Sequence, residues 1–146
     1  MVDLSSLREI ALRHVRGPYN QTAVPRVGIA SFPTPTEPMT GVFQPMLCFV
    51  LQGTKEATIG GQVLTYDEAS YFVASLDLPA SARIIKASPD RPYICVVLAI
   101  DQDNLAALLP DVPVRDDTQR AAFSVCPVTE ELASAWGRML GLLDTP

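Results

Sequence analysis

MLCFVLQGTKEATIGGQVLTY, running from Met46 to Tyr66, carries the strongest local structural signal in the sequence. It opens on an unbroken apolar run, Met46 to Leu51, in which Phe49 and Val50 favour a strand buried on both faces. Gln52-Gly53 breaks the run. Beyond the break Lys55, Ala57 and Ile59 alternate with Thr54, Glu56 and Thr58, the period-two pattern of a strand with one packed and one wet side. Gly60-Gly61 follows, a pair free to take the positive φ angles of a tight hairpin turn, and a further strand, Gln62 to Tyr66, starts at once. The local pattern predicts a β-meander.

Working outward, Arg26 to Phe32 reads as an earlier strand, with Val27 and Ile29 on one face. Pro33, Pro35, Pro38 and Pro45 then exclude a helix or a central strand, which leaves an extended, edge-like or looping passage that must still bury Met39, Val42 and Phe43. Downstream, strands are expected at 70–75, 81–87 and 93–100, separated by Leu76-Asp77-Leu78-Pro79 and by Ser88-Pro89-Asp90-Arg91-Pro92. The sum is about seven short strands, the spacing of an all-β sandwich or barrel. No long helical segment interrupts them, so a parallel βαβ fold is disfavoured.

Helices flank this barrel, which is expected to span residues 26–100. Asp3 can cap a first helix, 3–16, whose Leu4, Leu7, Ala11 and Val15 form one stripe and which Gly17-Pro18 ends. A short helix is expected over 101–109, capped by Asp101. Thr129 is a good N-cap for a last helix, 129–143, with Glu130 and Glu131 in the first turn where carboxylates suit the dipole. Leu132, Trp136, Met139, Leu140 and Leu143 recur along one face of it. Two readings of that stripe stand level: packing on its own domain, or a dimer surface.

The chain has 146 residues, 48% apolar and 18% charged, which suits one globular domain, 1–146. Its net charge of −5 argues against a nucleic-acid surface. No apolar run approaches a membrane span and no signal-peptide core opens the sequence, so a cytoplasmic location is expected. Cys48, Cys95 and Cys126 are odd in number and widely spaced, and they read as free thiols.

Catalytic constellations are thin. His14 is the sole imidazole, so neither a zinc site nor a facial-triad iron site can be assembled from the usual ligands, and no Ser-His or Cys-His pair presents itself. No catalytic residue, metal ligand or cofactor is therefore expected. What remains is a small barrel whose apolar inside can hold one small molecule. Parity with Ala57 and Ile59 aims Lys55 inward, either as a rim residue snorkelling to water or as a cationic handle for a polar or anionic ligand group. Candidate ligand contacts are Lys55, Phe49, Leu51, Tyr71, Ser75 and Tyr93, with Tyr66 as a further polar group. Cys48 and Cys95 read as inert packing, with an electrophile or redox sensor as the alternative.

The order Phe43-Gln44-Pro45, Leu47 to Lys55, Ile59-Gly60 and Leu64-Thr65-Tyr66-Asp67 resembles the N-terminal domain of AraC-type transcriptional regulators. Tyr71 to Pro79, Ala87-Ser88 and Pro92-Tyr93 continue it. The Gln-Gly-x-Lys and Ser-x-Asp-x-Pro segments are its specific part. The resemblance implies a cupin-like β-barrel that binds a small effector and helps homodimerisation, while a C-terminal pair of helix-turn-helix motifs binds promoter DNA. Two departures stand out. Glu68-Ala69 replaces the family's common glycine, and the sequence reaches Pro146 without any helix-turn-helix, so this chain is not expected to bind DNA directly. The competing expectations are a metal-free cupin-like isomerase or lyase, and a purely structural oligomerisation domain.

Overall fold

The computed structural model describes residues 3–68, 70–101 and 123–145. In chain order, α1 spans Ser5–Arg13, β1 Tyr19–Gln21, β2 Val27–Phe32, β3 Met39–Phe43, β4 Met46–Gln52 and β5 Thr54–Ile59. There follow β6 Gln62–Asp67, β7 Ser70–Ala74, β8 Leu78–Lys86, β9 Tyr93–Ala99, β10 Phe123–Pro127 and α2 Glu130–Asp144. The described strands form two antiparallel sheets, one of six strands ordered β1-β2-β9-β4-β7-β10 and one of four ordered β3-β8-β5-β6. Both helices cover the outer face of the larger sheet. The architecture is thus mainly β, a cupin-like barrel of two facing sheets with flanking helices.

Side-chain parity explains why β4 and β9 carry no polar stripe. Cys48 and Val50 of β4, with Tyr93 and Cys95 of β9, point between the sheets and join Ala57, Ile59, Phe72 and Ile84. Their neighbours Phe49, Leu51, Ile94 and Val96 point the other way, against Leu7 and Ala11 of α1 and Trp136 and Leu140 of α2. A strand packed on both faces needs apolar residues at both parities. Each large side chain so buried contributes roughly 1.5–3 kcal/mol. In β5, by contrast, Ala57 and Ile59 are buried while Thr58 is exposed, the half-buried strand expected from its alternation.

The meander expected over Met46 to Tyr66 is corrected. Gly60-Gly61 does close a hairpin between β5 and β6, but Gln52-Gly53 is where the chain leaves one sheet for the other. β4 pairs with β7 and β9, whereas β5 pairs with β6 and β8. Gly53 takes φ +89°, and a Cβ there would lie 2.7 Å from the Lys86 carbonyl oxygen and 3.0 Å from Tyr93 Cα. The corner therefore needs a residue without a side chain.

The proline-rich passage supplies β3, an edge strand, as its composition allows. Leu78-Pro79 was expected between strands and instead begins β8. Pro79 faces Val42 of β3, while the β5 register starts only at Ser81, so the proline's other side has no strand partner among the described residues. β1 and β10 carry too little periodicity to be read in advance.

At the ends, α1 is shorter than the expected 3–16, and the Asp3 carboxylate accepts the Ser5 N–H at 2.9 Å. Thr129 caps α2 by accepting the Leu132 N–H at 3.2 Å. The helix expected over 101–109 lies, apart from Asp101, outside the described residues. The apolar stripe of α2 turns inward: Trp136 and Leu140 are 3% and 0% exposed, and Leu132, Met139 and Leu143 pack around them. Its use as a dimer surface is therefore corrected, because the stripe is already covered by the chain's own sheet and α1.

Candidate functional site

Lys55 stands near the start of β5, between Tyr66 of β6 and Ile84 of β8 in register. Alternation with Ala57 places it on the inward face, and its Nζ lies over the Phe43 ring at 5.3 Å from the centroid. A cation over an aromatic face gains about 0.5–1 kcal/mol where water still reaches it. Lys55 and Phe43 line a cavity of about 420 Å³ that opens between edge strand β3 and the end of β9, with Met39, Met46, Val97 and Ala99 among its walls. Its size falls in the range of small-molecule sites. One cation over an otherwise mainly apolar lining suits an amphiphilic anion.

Deeper in, the interior is packed but chemically unlike a plain core. Tyr66 stacks on Phe72 at 5.3 Å, and Phe43 meets Phe72 edge-on at 5.8 Å. The hydroxyls of Tyr66 and Tyr93 are buried without a hydrogen-bond partner. Burial first, and the neighbouring thiols second, push both phenols well above their ordinary range. Cys48 and Cys95 lie on adjacent strands with the same inward parity. Their mutual interaction draws Cys95 down to about 6 and lifts Cys48 well above the usual thiol value, with the Lys55 ammonium favouring the thiolate of either. The two thiols titrate together and not as independent groups. Tyr93 is close enough to act on both sulfurs, but its hydroxyl meets no donor–acceptor geometry of a hydrogen bond.

The sequence-based candidates divide by parity. Lys55 lines the cavity, and Tyr93 lies inside the barrel below it. Phe49, Leu51 and Tyr71 are placed on the opposite side of the six-stranded sheet, in the packing against the helices, and line no part of this cavity. Phe49 stacks on Trp136 at 5.3 Å. Ser75 is exposed just beyond β7. These four are corrected as cavity residues: a doubly buried strand gives no sequence signal for which parity faces the ligand side. Phe43, Met46 and Val97 were missed. The last two share parity with Cys48 and Cys95, so fixing one inward residue on each strand would have found them.

His14 sits at the end of α1 on the helix side, 3.0 Å from the Asp144 carboxylate, and Arg13 pairs with the same carboxylate. Arg13 first, then His14, hold Asp144 below the usual carboxylate range. No cluster of three or more His, Cys, Asp or Glu suited to a metal occurs among the described residues. None of the described helices is long and apolar enough to cross a membrane.

The fold is similar to that of ToxT from Vibrio cholerae. The ligand-free form of a single-substitution variant from strain SCE256 superposes with a TM-score of 0.55 at 11% identity, over 86% of this chain and 51% of that one. The wild type from that strain, bound to an unsaturated fatty acid, gives 0.54 at 10% identity over 89% and 49%. ToxT from strain O395, bound to (E)-4-(8-methylnaphthalen-1-yl)but-3-enoic acid, gives 0.52 at 8% identity over 80% and 49%. This chain thus spans about half the length of the ToxT chains it matches. No curated protein matches the sequence. Residues 23–146 match the N-terminus of AraC-type transcriptional regulators, and the chain belongs to that family.

Proposed function

We propose that this chain is the effector-binding part of an AraC-type regulator, a binding module and not an enzyme, working in the cytoplasm. The observation that carries the reading is the position of Lys55, a cation at the wall of an open and mainly apolar cavity. A partly desolvated ammonium is costly without a partner, and no protein carboxylate pairs with Lys55 in the described residues. Glu56 faces away and binds Arg83 at 3.0 Å. An incoming acid would complete the site, its carboxylate on Lys55 and its hydrocarbon body against Phe43, Met39 and Met46. The carboxylic acids bound by ToxT support an acidic effector here and supply a probe. The lone imidazole, on the far side of the six-stranded sheet, gives the cavity no base–nucleophile pair.

The test is calorimetric titration with (E)-4-(8-methylnaphthalen-1-yl)but-3-enoic acid and its methyl ester. The acid should bind and the ester should not. Lys55→Met should weaken the acid by about tenfold or more, as expected for a charge-assisted contact, with melting temperature unchanged. Unchanged affinity in the mutant would make Lys55 a snorkelling rim residue. Loss of stability alone would make it part of the internal packing.

Homodimerisation belongs to the same proposal, through the outer face of α2 and not its buried stripe. Leu142 on α2 and Leu12 on α1 are 50% and 47% exposed. Sedimentation should give a dimer that Leu142→Glu weakens while the fold is kept; a monomeric wild type sinks the idea. Promoter contact is not assigned to these residues, whose net charge is −5.

A further inference from the structure

Below Lys55 the space between the sheets is closed, yet it holds two thiols on adjacent strands. Cys48 and Cys95 are 1% and 2% exposed. The register sets Cys48 opposite Val97 and Cys95 opposite Val50, so the two cysteines are diagonal neighbours on the inward face. Diagonal side chains on one face of a sheet lie within reach of each other, and the two thiols act directly on one another, each being the first cause of the other's shift. Two neighbouring sulfurs can share one metal ion, each at about 2.3 Å from it.

The surroundings are set for negative charge on sulfur. The Lys55 ammonium acts on both thiols, and the buried hydroxyls of Tyr66 and Tyr93 have no acceptor. Each orphaned hydroxyl is the kind of unpaired donor that a folded protein seldom keeps without use. Above the thiols, Met46 shares their inward face two residues before Cys48, and both Met46 and Met39 line the open cavity. Soft thioethers therefore lead from solvent towards soft thiols.

We propose that Cys48 and Cys95 form a two-thiolate site for a soft monovalent cation, copper(I) by preference, with the Tyr66 and Tyr93 hydroxyls donating to the sulfurs. Two thiol protons leave to solvent as the metal enters, and no electron is transferred. Two thiolates and one copper(I) carry a charge of −1, which Lys55 balances. Zinc in a structural site takes four ligands, where this interior offers two thiols among the described residues. Cys126 cannot help, because it stands opposite Tyr71, whose side chain faces the helix layer.

The test is anaerobic titration of the whole reduced chain with copper(I) in the presence of a chromogenic copper(I) chelator. One equivalent should pass to the protein and raise its melting temperature, while zinc(II) does neither. Cys48→Ala and Cys95→Ala should each abolish uptake, and Cys126→Ala should keep it. Tyr93→Phe should weaken it by about tenfold, the usual cost of losing a hydrogen bond to a metal ligand. No uptake by the folded wild type overturns the proposal, as does zinc bound equally well or copper retained by a folded Cys95→Ala. If the alanine variants do not fold, the wild-type titration and Tyr93→Phe still decide it. Acid binding at the mouth is a separate outcome: Cys95→Ala should leave it intact, so either reading can fail alone.

Discussion

The two faces of the six-stranded sheet differ in what they bury. Towards the helices lie Leu, Ile, Val and Phe with Trp136, and the polar groups at that border are bonded, as where Arg8 donates to the Leu51 carbonyl at 3.2 Å. Towards the second sheet lie two thiols, two unbonded phenol hydroxyls and, at the mouth, a lysine. One strand, β4, contributes to both, alternating Phe49 and Leu51 on one side with Cys48 and Val50 on the other. The helix-facing side is built for stability. The inter-sheet side tolerates unsatisfied groups, which is the mark of a site more than of a scaffold.

The largest test of that contrast is Trp136→Ala. It empties the stacked contact with Phe49 and should cost about 3–5 kcal/mol, read from chemical denaturation. A loss under 1 kcal/mol would mean that the helices are a loose cover and that the contrast is misdrawn. A smaller effect, of opposite sign, is expected across the sheet. Tyr93→Phe removes an unpaired buried hydroxyl and should leave the free protein as stable or up to about 1 kcal/mol more so. Destabilisation there would show that the hydroxyl is bonded and the interior is ordinary packing.

The smallest effect concerns the end of the helix layer. Because Arg13 and His14 lower the Asp144 carboxyl in the folded chain, its contribution is present above the unfolded carboxyl value of 3.8 and is lost as pH falls through the folded one. Wild type should therefore melt slightly above Asp144→Asn at neutral pH, with a narrower gap at an acid pH below the unfolded value, where the carboxylate begins to take up a proton. The pair is exposed, so the difference should be slight. An equal gap at both pH values would remove the ion pair as its cause.

Much of the fold was legible because its signals are local. Thr54 to Ile59 alternates, Gly60-Gly61 turns, Thr129 caps, and each feature needs only its neighbours to be recognised. Lys55 was placed inward by the same arithmetic, since period two fixes the parity of a half-buried strand once Ala57 and Ile59 are assigned. The family resemblance came from segments such as Gln52-Gly53-x-Lys55, which the family match over residues 23–146 now supports.

Where the strand is apolar at every position, the arithmetic has no sign. Phe49 and Cys48 look alike as burial candidates in the sequence, and only the helices packed on one side decide that Phe49 is scaffold and Cys48 interior. The same holds for Gly53, which reads as a break but acts as the corner between sheets because Lys86 and Tyr93, distant in sequence, press on it. The stripe on α2 could be matched to a partner or to its own sheet until that sheet was seen beneath it. Hydrophobic period and turn chemistry act over a few residues, so the sequence alone reached most of the elements and the inward parity of Lys55, but not β1, β10 or the start of β8. Tertiary structure decided which face each buried strand gives to which layer, and it brought Cys48, Cys95, Tyr66 and Tyr93 together, because those contacts join strands that no local pattern connects.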